Sequence, residues 1–403
     1  MSGTTAQHHG LPRRRVLTGA TAAAVAAGLA PAAGLAAPAG PFPPVPPLAK
    51  ENKVLGLGRN DSGQLSLNNT ANEWLTPMRA LGLPAIRRVS AGPLHVVGLD
   101  GGGNLWAWGH NVDGRLGDGT TTDRLASVRI HGLGNVTQVA TGDYHTLALR
   151  ADGTVWAWGS NAQGMLGDGT LTGRSTPAQI AGITGATAVA AGTGHSVVLL
   201  ADGTVLAWGD NTYAQLGDGT LTSRLTPAPV PGLTGITQLA AGERNSAALR
   251  ADGRMHLWGF NGYGALAMGS TQTYLVPVLP GGLTGVTGFA VGRGHMLALK
   301  ADGTLWAWGL NSSRQVGDGT TTWRYAPVRV AGAPSGVTHL AAGGTGSLAL
   351  TSSGQVWHWG LLGWSISSSV PTVVPGISGA LHACVGTMFL EAVVEVPLVF
   401  EPA

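Results

Sequence analysis

Beyond residue 50 the chain is built from short runs of alternating apolar and polar residues, broken at regular intervals by glycine. The stretch from Gly134 to Ser175 shows the pattern in full. Asn135 to Ala140 alternates, Gly142-Asp143-Tyr144-His145 interrupts, and Thr146-Leu147-Ala148-Leu149 resumes with its leucines two apart, on one face of a strand. Ala151-Asp152-Gly153-Thr154 places Asp-Gly between alternating runs, the chemistry of a tight turn. Val155 to Gly159 follows with the Trp156 and Trp158 indoles on one side. A polar loop from Ser160 to Thr176 then leads to a last short strand around Pro177 to Ile180. Short strands separated by turn signals, without helical periodicity, predict an all-β unit.

The unit repeats. Trp-Gly recurs at Trp108-Gly109, Trp158-Gly159, Trp208-Gly209, Trp258-Gly259, Trp308-Gly309 and Trp359-Gly360, with a degraded copy ending at Gly58. These seven glycines are separated by 51, 50, 50, 50, 50 and 51 residues. One unit alone cannot bury its leucine and tryptophan faces, whereas a closed ring of units buries them and leaves no long sheet edge. The 43 residues after Gly360 and the 8 from Glu51 to Gly58 together make one period, so the chain ends are expected to share a blade. Val396 to Phe400 competes with Val54 to Gly58 for one strand slot there, and the sequence leaves open which terminus fills it. The expected fold is an all-β, seven-bladed β-propeller of ~50-residue repeats over residues 51–403, closed by pairing of its N- and C-terminal segments.

Residues 1–36 read as an address. Arg13-Arg14-Arg15-Val16-Leu17 precedes an Ala-rich apolar run ending in small residues, the layout of a twin-arginine signal peptide cleaved near Ala36. Retention as a membrane anchor fits less well, because Ala and Gly are weakly apolar and Pro31 interrupts the run. Residues 37–50 form a spacer with six prolines between Pro38 and Pro47. Removing residues 1–36 removes three Arg and no acid, so the net charge falls from +3 to zero, with 20 basic and 20 acidic residues. A neutral chain lacks the basic stripe of a nucleic-acid protein. The single Cys384 excludes an intramolecular disulfide.

Four Asp–Arg pairs recur six residues apart: Asp118 with Arg124, Asp168 with Arg174, Asp218 with Arg224 and Asp318 with Arg324. The two residue types vanish together in the other units, which suggests a clip within each long loop. The alternative, a Ca²⁺ ring, fails because blades hold equivalent carboxylates apart. His95, His145, His195 and His295 share one repeat position, with Asn245, Gly346 and Phe389 in the other units. Each is expected to bond backbone of its own or the next blade rather than bind metal, since ligands must converge at about 2 Å. Ten of the thirteen tryptophans fall in the Trp-x-Trp slots and are expected in the core; Trp74, Trp323 and Trp364 lie in long loops. No nucleophile elbow, zinc-protease motif or phosphate loop occurs, so no catalytic residue, metal or cofactor is expected.

The motifs Ala-Gly-x-x-His, Ala-Asp-Gly-Thr, Trp-Ala-Trp-Gly-x-Asn and Leu-Gly-Asp-Gly-Thr, at these offsets, resemble the regulator of chromosome condensation repeat over roughly residues 51–394. That resemblance implies a seven-bladed propeller. It does not imply one activity, because members include nucleotide exchange factors, ubiquitin-ligase modules and secreted binding proteins. In a repeat protein the variable positions are free to recognise a ligand. Here they are the pair before the repeated His and the loop after Trp-Gly, which nominate Asp143, Tyr144, Tyr213, Glu243, Arg244, Phe260, Tyr263 and Arg293 as binding residues. The function expected is an exported, non-enzymatic, monomeric binding protein for an extracellular protein or glycan, without a membrane span once mature. The alternatives are an exchange factor for a small GTPase and a propeller-based lyase or glycan-acting enzyme. Replacing Arg13 and Arg14 together by Lys should trap the precursor in the cytoplasm, as read by fractionation and immunoblotting.

Overall fold

The computed structural model describes residues 50–397, and all of its regular structure is β-strand. The expected signal peptide and nearly all of the spacer lie outside the described residues, as do residues 398–403. Twenty-eight strands form seven four-stranded antiparallel sheets arranged as the blades of a propeller. Blade 2 is representative: Val136–Thr141 at the hub, His145–Arg150, Val155–Gly159, and Arg174–Gln179 at the rim. Blades 1 and 3 to 6 repeat it at residues 86–129, 186–229, 236–278, 286–329 and 337–373. Blade 7 takes Ala380–Val385 and Phe389–Pro397 from the C-terminal end and Lys50–Arg59 and Glu73–Arg79 from the N-terminal end.

The competition between the two termini resolves as partnership. Lys50–Arg59 fills the contested slot beside Phe389–Pro397, and Lys50↔Pro397 through Gly58↔Phe389 gives nine consecutive pairs. The equivalent ladder within blade 3, His195↔Gly209 to Leu199↔Val205, has five. The seam that closes the ring is therefore its longest ladder.

The hub is set by seven glycines, Gly92, Gly142, Gly192, Gly242, Gly292, Gly343 and Gly386, one at the end of each innermost strand. A Cβ built on any of them would lie within 2.7 Å of the next glycine's carbonyl oxygen, all the way round the ring. None has a left-handed φ, so close approach of neighbouring blades, not backbone conformation, excludes a side chain here. Polar residues stitch the innermost strands beneath this ring: Gln138 Nε2 donates to Val189 O at 3.1 Å and Gln238 Nε2 to Thr287 O at 3.2 Å. His339 Nε2 lies 3.0 Å from Ala383 O.

Between blades the core is apolar and ordered by tryptophan. Trp108, Trp158, Trp208, Trp258, Trp308 and Trp359 are fully buried. Each indole donates Nε1–H to a backbone carbonyl of the preceding blade, at 2.7–2.9 Å. The first Trp of each pair behaves differently from the core placement expected. Trp106, Trp156, Trp306 and Trp357 are only half-buried, because their end of the strand meets the blade flank; Lys300 and Arg150 lie over Trp306 and Trp156. Blade 7 also buries Glu391, whose Oε1 accepts from Trp108 Nε1 at 3.1 Å. Burial pushes its carboxyl well above the usual range, against the pull of that hydrogen bond.

Gly92→Ala would drive a methyl to 2.5 Å from Gly142 O and 2.6 Å from His95 Cε1. It should cost about 2–4 kcal/mol in urea unfolding, whereas Gly134→Ala, which meets nothing within 4 Å, should change stability by no more than ~0.5 kcal/mol.

Candidate functional site

The two variable slots lie on one face of the disc because of strand register. His145 pairs with Gly159, so the residues before His145 and the loop after Gly159 emerge together, and Ser160 N donates to Tyr144 O at 2.9 Å. The Ala-Asp-Gly-Thr turns lie at the strands' other ends, on the opposite face. The shared side is called the loop face below.

A buried asparagine shapes each long loop. Asn111 Oδ1 accepts from Leu116 N, while its Nδ2 donates to Asp118 Oδ1, Thr120 O and Thr122 O, all near 3 Å. Asn161, Asn211 and Asn311 do the same. Asp118, Asp168, Asp218 and Asp318 then bind Arg124, Arg174, Arg224 and Arg324. Burial works to raise the Asp118 carboxyl, but hydrogen bonds from Thr120 and Arg124 outweigh it and hold the group below its ordinary value. The arginines are partly exposed, so each pair contributes about 0.2–1 kcal/mol, mainly fixing loop shape. Gly119 N and Gly169 N reach the rim strand of the next blade, on Ser175 O and Leu225 O. Each loop is thereby tied to its neighbour.

The histidines have a partner different from the backbone expected. His145 Nε2 lies 2.8 Å from Ser196 Oγ, His195 Nε2 2.9 Å from Ser246 Oγ, and His295 Nε2 2.8 Å from Ser347 Oγ, each on the next blade. His95 and Thr146 make a longer version at 3.5 Å. The hydroxyl spends its one hydrogen on the carbonyl that also receives the next blade's indole: Ser196 Oγ and Trp208 Nε1 both reach Met165 O at 2.8 Å. The hydroxyl therefore accepts from His Nε2–H, leaving a neutral ring with a bare, buried Nδ1. The sequence carries a signal for this that spacing arguments passed over. Where His is replaced, the next blade's hydroxyl is replaced as well: Asn245 faces Met296, Gly346 faces Leu390 and Phe389 faces Val96.

The nominated binding residues fall into two groups. At the channel mouth, Arg293 Nη2 crosses from blade 5 to donate to Asp143 Oδ2 of blade 2 at 2.8 Å. Burial works to lower the Arg293 guanidinium, but Asp143, and more weakly Glu243 and Tyr144, raise it. The cavity behind this bridge is about 60 Å³ and is lined by the ends of all seven innermost strands. Arg115, which the sequence reading missed, supports the bridge: its Nη1 donates to Asp143 O, and its guanidinium lies 5.2 Å from the exposed Tyr144 ring.

The second group lies across blades 3 to 5. Tyr213, Phe260, Tyr263 and Trp323 form a continuous row, with ring centroids 5.3, 5.3 and 5.4 Å apart. The Arg244 guanidinium sits 4.4 Å over Tyr213 and 5.9 Å over Phe260. Trp323, 37% exposed, ends the row. Gly294 makes room for it, since a Cβ there would lie 2.7 Å from the Tyr263 ring. Among the described residues no cluster of three or more His, Cys, Asp or Glu could hold a metal ion, and no helix is long and apolar enough to cross a membrane.

Seven repeat-built blades, closed by both termini and locked through tryptophan and glycine, define a β-propeller whose variable loops gather on one face. The RCC1-like domain model matches residues 47–283, more than half of the chain, and regulator of chromosome condensation (RCC1) repeat models match 302–350 and 286–315. The chain belongs to the RCC1-like family. It is similar in structure to Prp20p from Saccharomyces cerevisiae, studied for its binding to Gsp1p and histones, at a TM-score of 0.76 and 24% identity over 87% of this chain and 93% of that one. Human WBSCR16 superposes at 0.77 with 21% identity over 85% and 99%. At these identities the likeness shows the fold alone. The Arabidopsis thaliana ultraviolet-B receptor UVR8 is 39% identical over 77 residues, which span 19% of this chain and only 17% of the receptor.

Burial holds His145 and His295 at about 3 and His195 at about 4, below the ordinary 6.5. Below pH 6.5 the unfolded chain therefore binds protons that the folded chain refuses. Stability should be complete above pH 6.5 and fall as the pH drops toward 4, by about 1.4 kcal/mol per pH unit for each of these histidines. Urea midpoints measured from pH 7.5 to 4.5 check this, and His145→Phe should give a shallower slope.

Proposed function

We infer that the protein is an exported, non-enzymatic interaction module that holds a protein or glycan partner on its loop face. The observation that carries this reading is the Tyr213–Phe260–Tyr263–Trp323 row with Arg244 above it, a partly exposed aromatic surface built from loops that vary between otherwise uniform repeats. Aromatic and Arg side chains are the usual anchors of binding surfaces. The cavity at the channel mouth is too small to be a substrate pocket. At about 60 Å³ behind an Arg293–Asp143 bridge, it is far below the roughly 300 Å³ at which substrate pockets begin. The Arg13-Arg14 leader, read as a twin-arginine address, supports action outside the cytoplasm, away from the small GTPase that an exchange factor needs. Net neutrality after signal removal fits association without electrostatic steering.

Immobilised mature protein should retain a specific envelope or medium component, identified by mass spectrometry. Tyr263→Ala with Trp323→Ala should abolish retention, while Arg174→Ala, which only loosens a loop clip, should leave it intact. Equal capture by all three forms would remove the loop face from the reading.

A further inference from the structure

We propose that the aromatic row receives a proline-rich segment in polyproline II form, and that the occupant is residues 38–47 of a second copy of this chain. The proposal rests on the loop-face reading above and names its partner. The planes of successive rings in the row are turned by 76°, 83° and 88°, so the rings meet edge to face and the surface is corrugated rather than a flat deck. A sugar ring stacks on an open aromatic face, and here the Tyr213 face is already covered by the Arg244 guanidinium. A corrugated row of ring edges and faces instead suits stiff pyrrolidine rings laid over it, and aromatic-lined surfaces are the general receptors of polyproline II segments.

The periods agree. Polyproline II turns every three residues at ~3.1 Å each, roughly 9 Å per turn, close to twice the 5.3 Å ring separation. Pro41, Pro44 and Pro47 are spaced by three, so one side of such a helix presents a proline at each turn. Charge agrees as well: Arg244 is paired with Glu243 at 3.4 Å, and residues 38–47 contain no charged side chain.

Geometry assigns the segment to another molecule. Lys50–Arg59 runs toward the loop face, where Arg59 N meets Met388 O, so its Lys50 end lies on the opposite side of the disc. Climbing back takes as many residues as that ten-residue strand, about 33 Å at ~3.3 Å each. Residues 40–49 would be used on the ascent, and the row sits on blades 3 to 5, across the ring from blade 7. The prolines therefore cannot reach their own row. They leave from one face and dock on the other face of a neighbour, a head-to-tail contact that generates open series instead of a closed dimer.

Sedimentation equilibrium of the mature chain over increasing concentration tests this, replacing the monomer expected from sequence. The weight-average mass should rise past that of a dimer. Serine at Pro41, Pro44 and Pro47 together, a change outside the folded ring, should return it to monomer, as should Tyr263→Ala with Trp323→Ala. A synthetic peptide of residues 37–49 should bind the triple-serine protein and lose binding when Tyr263 and Trp323 are also Ala. A monomer at every concentration with no peptide binding, or self-association untouched by the proline changes, would overturn the proposal. If that happens while the face still captures an envelope partner, the broader reading stands; loss of both would sink both.

Discussion

The structure depends on how closely seven strands approach at the hub. Each of Gly92, Gly142, Gly192, Gly242, Gly292, Gly343 and Gly386 lies against the carbonyl of the next, with no room for even a methyl group. That contact sets the distance between blades. The distance in turn places each Trp-Gly indole against the preceding blade's carbonyl, and His95, His145, His195 and His295 against the next blade's hydroxyl. A wider hub would leave those donors unsatisfied in an apolar interior, where each would cost about 1–3 kcal/mol. Stability here is shared between neighbours around a ring, as in other repeat proteins, with the difference that closure leaves no terminal repeat to cap.

The ring is not uniform. Three of its seven interfaces lack the His–hydroxyl pair, with Asn245, Gly346 or Phe389 in place of His, and two of these flank blade 7. Blade 7 compensates through length, with nine ladder pairs between Lys50–Arg59 and Phe389–Pro397. It also holds the buried Glu391, whose carboxyl burial pushes well above the usual range. His–hydroxyl pairs join blades 1 to 4 in an unbroken run, and blades 3 and 4 also carry Tyr213, Arg244, Phe260 and Tyr263. The aromatic row is thus mounted largely on blades coupled by these pairs.

The loop face combines two kinds of surface. The channel mouth is closed by Arg293 reaching Asp143 across the ring, and it presents little space. The aromatic row is open and partly exposed. Such a surface offers shape and apolar contact, in keeping with the zero net charge of residues 37–403.

The Trp-Gly period, the turn signals and the complementary lengths of the two ends were enough to read seven blades, the shared closing blade and the joint Asp–Arg pairs, because these depend on spacing along one chain. The eight nominated residues were chosen because they occupy slots that change from repeat to repeat, and the structure sets them on the loop face in two groups. The His–Ser/Thr pairs were written in the sequence as matched losses fifty residues apart, yet needed the inter-blade geometry to be seen as pairs. Three things were decided only in three dimensions. The half-exposure of Trp106 and its equivalents, the side-by-side placement of both termini, and the joining of Tyr213, Phe260, Tyr263 and Trp323 into one row all arise from packing between blades. Sequence periodicity reports which face of a strand a residue occupies; it carries no distance between residues on different blades, and that distance is what turns four scattered rings into a surface.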